Sequence, residues 1–202
     1  MKIQRFGVRL ALSIVGAVAI ASLSQSGVLA QNDHGHSATA ERRPDTPEGV
    51  ARRSALVRAV REATRRFLDP AVAMAEGYLP QFGCVTGSSE GVMGVHFVNG
   101  GLVNDGQLHV EQPELLVYEP LPNNRFQLVA ADYLVTSEAW HATNPAPPQL
   151  MGQLFHLFES PNRFGLPEFY TLHVWAWRDN PQGTFANWNP NVSCEAYNPQ
   201  NQ

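Results

Sequence analysis

The sequence predicts an α+β fold: helices first, then a mostly antiparallel, partly closed β-sheet. Three observations carry this. Apolar residues recur at helical spacing from Val50 to Phe67, the period becomes strand-like from Gly91 onward, and turn-rich segments separate the later runs. A chain of 202 residues with 44% hydrophobic and 16% charged residues can bury a core, which excludes disorder throughout.

Residues 1–30 read as a secretory signal peptide. Lys2, Arg5 and Arg9 form a positive start, Leu10 to Leu23 is an apolar run, and Val28-Leu29-Ala30 supplies small residues for cleavage before Gln31. The apolar run is about 14 residues, short of the roughly 20 that span a bilayer, so no transmembrane segment is expected after cleavage. There is no twin arginine and no cysteine near the cut. Residues 31–47 are polar, small and proline-containing, and read as a flexible tail; its Asp33-His34-Gly35-His36 places histidine fourth, not third, after the cut. Residues 48–202 then form a single globular α+β domain in a periplasmic or secreted protein.

The globular part opens with a helix start at Thr46-Pro47-Glu48, where threonine caps and proline fits the first turn. Val50, Leu56, Val57, Val60, Thr64 and Phe67 make its apolar stripe, and Arg52, Arg53, Arg58, Arg61, Arg65 and Arg66 fill the other faces. Asp69-Pro70 ends this helix and begins a short one that stops at Gly77. Strands are predicted at Val92–Val98, Leu115–Glu119, Phe126–Val135 and Phe169–Trp177; Leu150 to Phe158 suits a further strand or a helical turn, and the segment from Asn180 to Pro190 is loop.

The formal charge of −4 conceals a split. The leader is basic and residues 42–69 sum to +4, whereas residues 70–202 sum to −9. The arginine face is expected to pack on the acidic remainder, with an anionic-lipid or partner surface as the alternative. Lys2 is the only lysine, so the mature chain has none. That excludes lysine nucleophile chemistry and, with the acidic body, argues against nucleic acid as a partner. Cys84 and Cys194 form an even pair in an exported chain, and a disulfide between them is expected.

No nucleophile elbow, P-loop, dinucleotide fingerprint, HExxH or CxxC pair is present, and catalytic residues are not identified. Each predicted strand does place one ionisable group on a largely apolar face: His96, Glu119, Asp132 and His173. If the four faces converge, two imidazoles and two carboxylates meet in a low-dielectric pocket that needs a partner or a metal. That donor set suits Zn, Mn or Fe, or a metal-free acid–base pair; hydrogen-bonded structural roles are the alternative. Trp175, Trp177 and Trp188 form a second candidate, a stacking platform for a glycan, against which stands ordinary packing. The two functional readings are therefore an exported small-molecule- or metal-binding protein, including a metalloenzyme, and a non-enzymatic glycan or cell-envelope binding module.

Three strings carry a resemblance: Gly91-Val92-Met93-Gly94-Val95-His96-Phe97-Val98-Asn99, Pro113-Glu114-Leu115-Leu116-Val117-Tyr118-Glu119-Pro120, and Leu172-His173-Val174-Trp175-Ala176-Trp177 through Asn180-Pro181-Gln182-Gly183 to Trp188-Asn189-Pro190-Asn191-Val192-Ser193-Cys194. Together they resemble a group of exported bacterial proteins of unknown function. The resemblance covers roughly residues 60–195 and implies export and a single domain, but no activity, ligand or catalytic residue.

Overall fold

The computed structural model describes residues 46–87 and 89–199. The predicted leader and nearly all of the tail lie outside the described residues.

Helix α1 spans Pro47–Thr64. The Thr46 hydroxyl accepts the Gly49 N–H at 3.1 Å, and Pro47 opens the first turn. Leu56, Val60 and Thr64 are its buried residues, one per turn. A 3₁₀ turn, Arg65–Leu68, follows and drives Phe67 into the core, where the Tyr118 hydroxyl donates to the Phe67 carbonyl at 2.7 Å. Asp69 then caps α2, Pro70–Ala75, by accepting the Ala71 N–H at 2.9 Å. Gly77, at φ +91°, turns the chain out of the helix into the sheet.

The main sheet has six strands: β1 (Tyr78–Thr86), β2 (Val92–Asn99), β3 (Leu115–Leu121), β4 (Arg125–Thr136), β7 (His156–Phe158) and β8 (Phe169–Val174). Their order is β1-β2-β3-β4-β8-β7, and every neighbouring pair is antiparallel. The two ends of this order do not pair, so the sheet is open rather than closed. A short helix α3, Gly100–Val103, follows β2, and α4, Ser137–His141, follows β4. Strands β5 (Gln149–Leu150) and β6 (Gln153–Leu154) form a separate two-stranded hairpin. Its two-residue turn is Met151-Gly152, both at positive φ, as a tight hairpin demands.

β1 has no counterpart in the sequence-based prediction. Its Pro80 and Gly83 break the strand pattern, and both are tolerated because β1 is an edge with a bulge between Gln81 and Cys84.

The helices cover one face of the sheet. Leu56 and Val60 pack on Tyr133, Leu172 and Val174, while Phe67 and Ala73 pack on Tyr78, Phe97 and Tyr118. The arginine face meets the acidic part at single points: Arg66 pairs with Glu76, and Arg61 donates to the Ala176 carbonyl. α1 docks through its apolar stripe, Arg52 and Arg58 are exposed, and Arg65 pairs with Glu62 within the helical segment. Burial of the stripe outweighs ion pairs that stay half in water.

Loops cover the opposite face. Phe164 and Leu166 from the β7–β8 connection close over Leu115, Leu134 and Phe169, and Val192 packs on Val117, Val129, Ala130 and Trp175. The C-terminal segment is held there by the Cys84–Cys194 disulfide and by paired backbone bonds between Val92 and Asn189 at 3.0 and 3.1 Å. The expected disulfide is therefore present. Among the described residues no helix is long and apolar enough to cross a membrane.

Candidate metal centre

The pairing register decides which predicted site residues meet. Directly paired residues in an antiparallel sheet project to the same face. Asp132 pairs with His173 on one side and Leu115 on the other, and His96 pairs with Val117 one row away. His96, Asp132 and His173 thus share the loop-covered face. β2 and β8 are three strand intervals apart, about 14 Å on a flat sheet. The Nε2 atoms of His96 and His173 nevertheless approach to 3.5 Å. Both side chains therefore lean inward over β3 and β4 on a concave face, where Val117 and Ala130 are the low ground between them.

The cluster is buried and tightly framed. His96, Asp132 and His173 are 4%, 3% and 2% exposed. One donor atom from each lies within 4.8 Å of the others. His173 Nδ1 stands 3.5 Å from Asp132 Oδ1, and the Thr171 hydroxyl donates to that same oxygen at 2.5 Å. The two imidazoles meet edge to face at 86°, and Trp175 stacks on His173. The Nδ1 atoms of both histidines are buried without a hydrogen-bond partner. With a single proton between the two Nε2 atoms, His173 Nδ1 faces the Asp132 carboxylate at 3.5 Å and His96 Nδ1 has no protein partner.

Burial sets the ionisation. It pulls the His96 imidazole down to about 4, reinforced by His173 beside it and only partly opposed by Asp132. Burial and the nearby His156 pull His173 down to about 3, with the Asn187 side chain working against them. Burial pushes the Asp132 carboxyl up to about 6, with His96 and the Thr171 hydrogen bond working against it. At neutral pH the cluster holds two neutral imidazoles, the form that ligates metals, and one carboxylate in an apolar setting.

Glu119 does not join this group. It lies on the same strand face as Val117 but further along β3, opposite Gln127. There Arg178 donates to one of its oxygens and the Ser193 N–H donates to the other at 3.0 Å. Its role is to hold the C-terminal segment, which removes it from the predicted ligand set. The predicted face of β4 is also split. A bulge at Val129, where Val117 faces Ala130 but Tyr118 faces Leu128, turns Phe126 and Leu128 to the helix side.

The tryptophans do not form one platform. Trp175 is 4% exposed, and its indole N–H donates to the Ala186 carbonyl at 2.6 Å. A tight turn, with Ala176 N–H donating to the Val174 carbonyl at 2.8 Å, ends the strand alternation. Trp177 is thereby sent to the helix side, where its N–H donates to the Thr64 hydroxyl at 2.9 Å. Trp188 sits in the C-terminal loop with Arg163 above its ring. Trp177 alone of the three lines an open, polar cleft, shared with Arg61, Gln127, Arg178, Asp179 and Asn191.

Thr171 is the site residue that reading the ionisable groups alone omits. Its place two residues before His173 on one strand face was the available signal.

Comparisons with protein-family models, with curated proteins and with solved structures give no match.

Proposed function

We propose that the protein is an exported metal-binding protein whose centre is one divalent transition-metal ion held by His96, His173 and Asp132. The convergence of three donors from three strands in a buried pocket carries this reading. Two further observations support it. Ligands at about 2.0–2.1 Å in a tetrahedral arrangement stand roughly 3.3–3.4 Å apart, close to the 3.5 Å between the two Nε2 atoms. A cation also neutralises the buried Asp132 carboxylate, which two neutral imidazoles do not. Two nitrogens and one oxygen suit Zn, Mn or Fe. The sheet would hold the ion as a partly closed trough, and the disulfide suits an oxidising compartment, periplasmic or extracellular.

Metal analysis of the exported, dialysed protein tests the assignment. About one ion per chain is expected in the wild type, with loss in His96→Ala and His173→Ala and a chelator-dependent fall in Tm only for the wild type. A wild-type protein that takes up no Zn, Mn or Fe on reconstitution, and whose Tm ignores chelator, overturns it.

A second reading, glycan binding, rests on the open cleft at Trp177, where an indole lies among guanidinium, carboxyl and amide groups. Tryptophan fluorescence that responds to envelope polysaccharide and is insensitive to chelator favours that reading over the metal centre.

A further inference from the structure

The His96–Asp132–His173 cluster is the only charged or imidazole-bearing part of an otherwise carbon-walled chamber. Its inner part, about 30 Å³, is bounded by the cluster with Met93, Leu115, Leu134 and Phe164 among its walls. An adjoining compartment of about 80 Å³ shares Phe82, Leu115, Leu134, Leu166 and Phe169 with the first and is otherwise lined by Val98, Val103, Thr136 and Pro167. Beyond the cluster, the polar side chains on these walls are the Thr171 and Thr136 hydroxyls. Thr171 is already engaged with Asp132.

The size restricts the occupant. An engineered apolar cavity of about 150 Å³ stays dry and takes up benzene or xenon. The inner part alone is about a fifth of that, but with the adjoining compartment the space comes to about 110 Å³, which admits a short alkyl group or at most a ring of six carbons lying across both parts and excludes a long acyl chain. Away from the cluster, the wall hydroxyls are already engaged, Thr171 with Asp132 and Thr136 as the cap of α4, so the rest of a polar or charged ligand would lose its hydration without a partner.

The outer wall is built unusually. Phe82 is a non-glycine residue at φ +61°, followed by Gly83 at φ +67°, inside the bulge of β1. The residue is 46% exposed, and its ring meets Phe164 edge to face at 5.7 Å. A bulge re-aims a side chain, and an unfavourable backbone at a large aromatic residue persists only where its surroundings hold it. Here the surroundings are the Cys84–Cys194 disulfide two residues on and the Tyr197 side chain, 3.3 Å from where a Gly83 Cβ would stand. The result is an aromatic rim, Phe82 and Phe164, over an apolar chamber.

We propose that this chamber binds a small apolar molecule, benzene-sized or smaller, and seats it against the His96–Asp132–His173 cluster. The pocket stands on its own geometry; the placement of the ligand beside an ion rests on the metal-binding reading. It makes a small hydrocarbon or hydrocarbon-like group the ligand class of the centre.

Fluorobenzene is the probe, followed by ¹⁹F NMR on the mature full-length protein. Saturable broadening is expected, reversed by excess benzene. Leu134→Trp and Leu166→Trp, one on the sheet and one on the covering loop, fill the chamber and should each weaken binding at least tenfold while circular dichroism stays native. In Co(II)-loaded protein the bound fluorine should relax several-fold faster than in the Zn(II)-loaded form. Failure of fluorobenzene to bind saturably overturns the proposal, whatever the metal content. So does binding that neither tryptophan substitution weakens in folded protein. Saturable binding that the substitutions abolish, in a protein that takes up no metal, upholds the chamber and refutes the metal centre. Equal relaxation in the Co(II) and Zn(II) forms places the probe away from the cluster and overturns the seating.

Discussion

Glu114 offers a sharp test of how this sheet treats a buried acid. It stands just before β3, 2% exposed, and a carboxylate oxygen accepts the Leu134 N–H at 3.1 Å. Burial pushes its carboxyl up to about 8, against an ordinary value of 4.5. A folded-state value above the unfolded one means that this group's contribution is intact below pH 4.5 and is lost as pH rises through about 8. By linkage the loss amounts to about 3 kcal/mol at pH 7 and about 5 kcal/mol once ionisation is complete. Glu114→Gln keeps an oxygen for the Leu134 N–H and has nothing to ionise. Urea unfolding of both proteins from pH 5 to pH 8 should show the variant gaining on the wild type by about 3 kcal/mol across that range. Taking the difference cancels the titrations of His96 and His173, and that of Asp132 apart from its charge coupling to Glu114. A difference that stays constant with pH refutes the reasoning, because lost packing alone gives an offset and not a slope.

Three further outcomes follow from the packing. Replacing both Cys84 and Cys194 by serine removes a link across 110 residues of chain, worth about 5 kcal/mol of loop-closure entropy; a loss under about 1 kcal/mol in guanidinium unfolding contradicts that assignment. Leu56→Ala, in the stripe that seats α1, should cost about 2–5 kcal/mol by the same measurement, and a near-neutral effect shows that the helix is held by other contacts. Gly94→Ala places a Cβ 2.7 Å from the Tyr118 carbonyl oxygen at φ +114°, whereas Gly100→Ala meets nothing within 4 Å. The first should lower stability by more than about 2 kcal/mol and the second by well under 1, and equal thermal shifts in the two refute the close approach.

Much of the site was legible because strand alternation is a strict rule. His96, Asp132 and His173 were placed on apolar strand faces from spacing alone, and the register then superimposed those faces. What escaped were departures from alternation. The bulge at Val129 moved Phe126 and Leu128 to the helix side, and the tight turn at Ala176 did the same to Trp177. Neither leaves a mark in a pattern of apolar and polar residues, since all the side chains concerned are apolar and buried or partly buried on either face. Glu119 failed for a different reason. Its partner, Arg178, is 59 residues away, and only the fold shows that the two meet. The helices were clearer, because Thr46, Pro47, Asp69, Pro70 and Gly77 punctuate them chemically. β1 was hidden by the proline and glycine that an edge strand accepts.

The three donors arrive on β2, β4 and β8, with 77 residues between the first histidine and the second. No early hairpin contains more than one of them. A chain emerging amino-terminus first therefore carries no assembled cluster until its last long strand docks, and Cys194 follows that strand by only twenty residues. The cluster and the covalent clasp become available at nearly the same moment. Occupancy of the one and oxidation of the other would thus report completion of the whole sheet, and a chain cut short before Phe169 would offer neither to its surroundings.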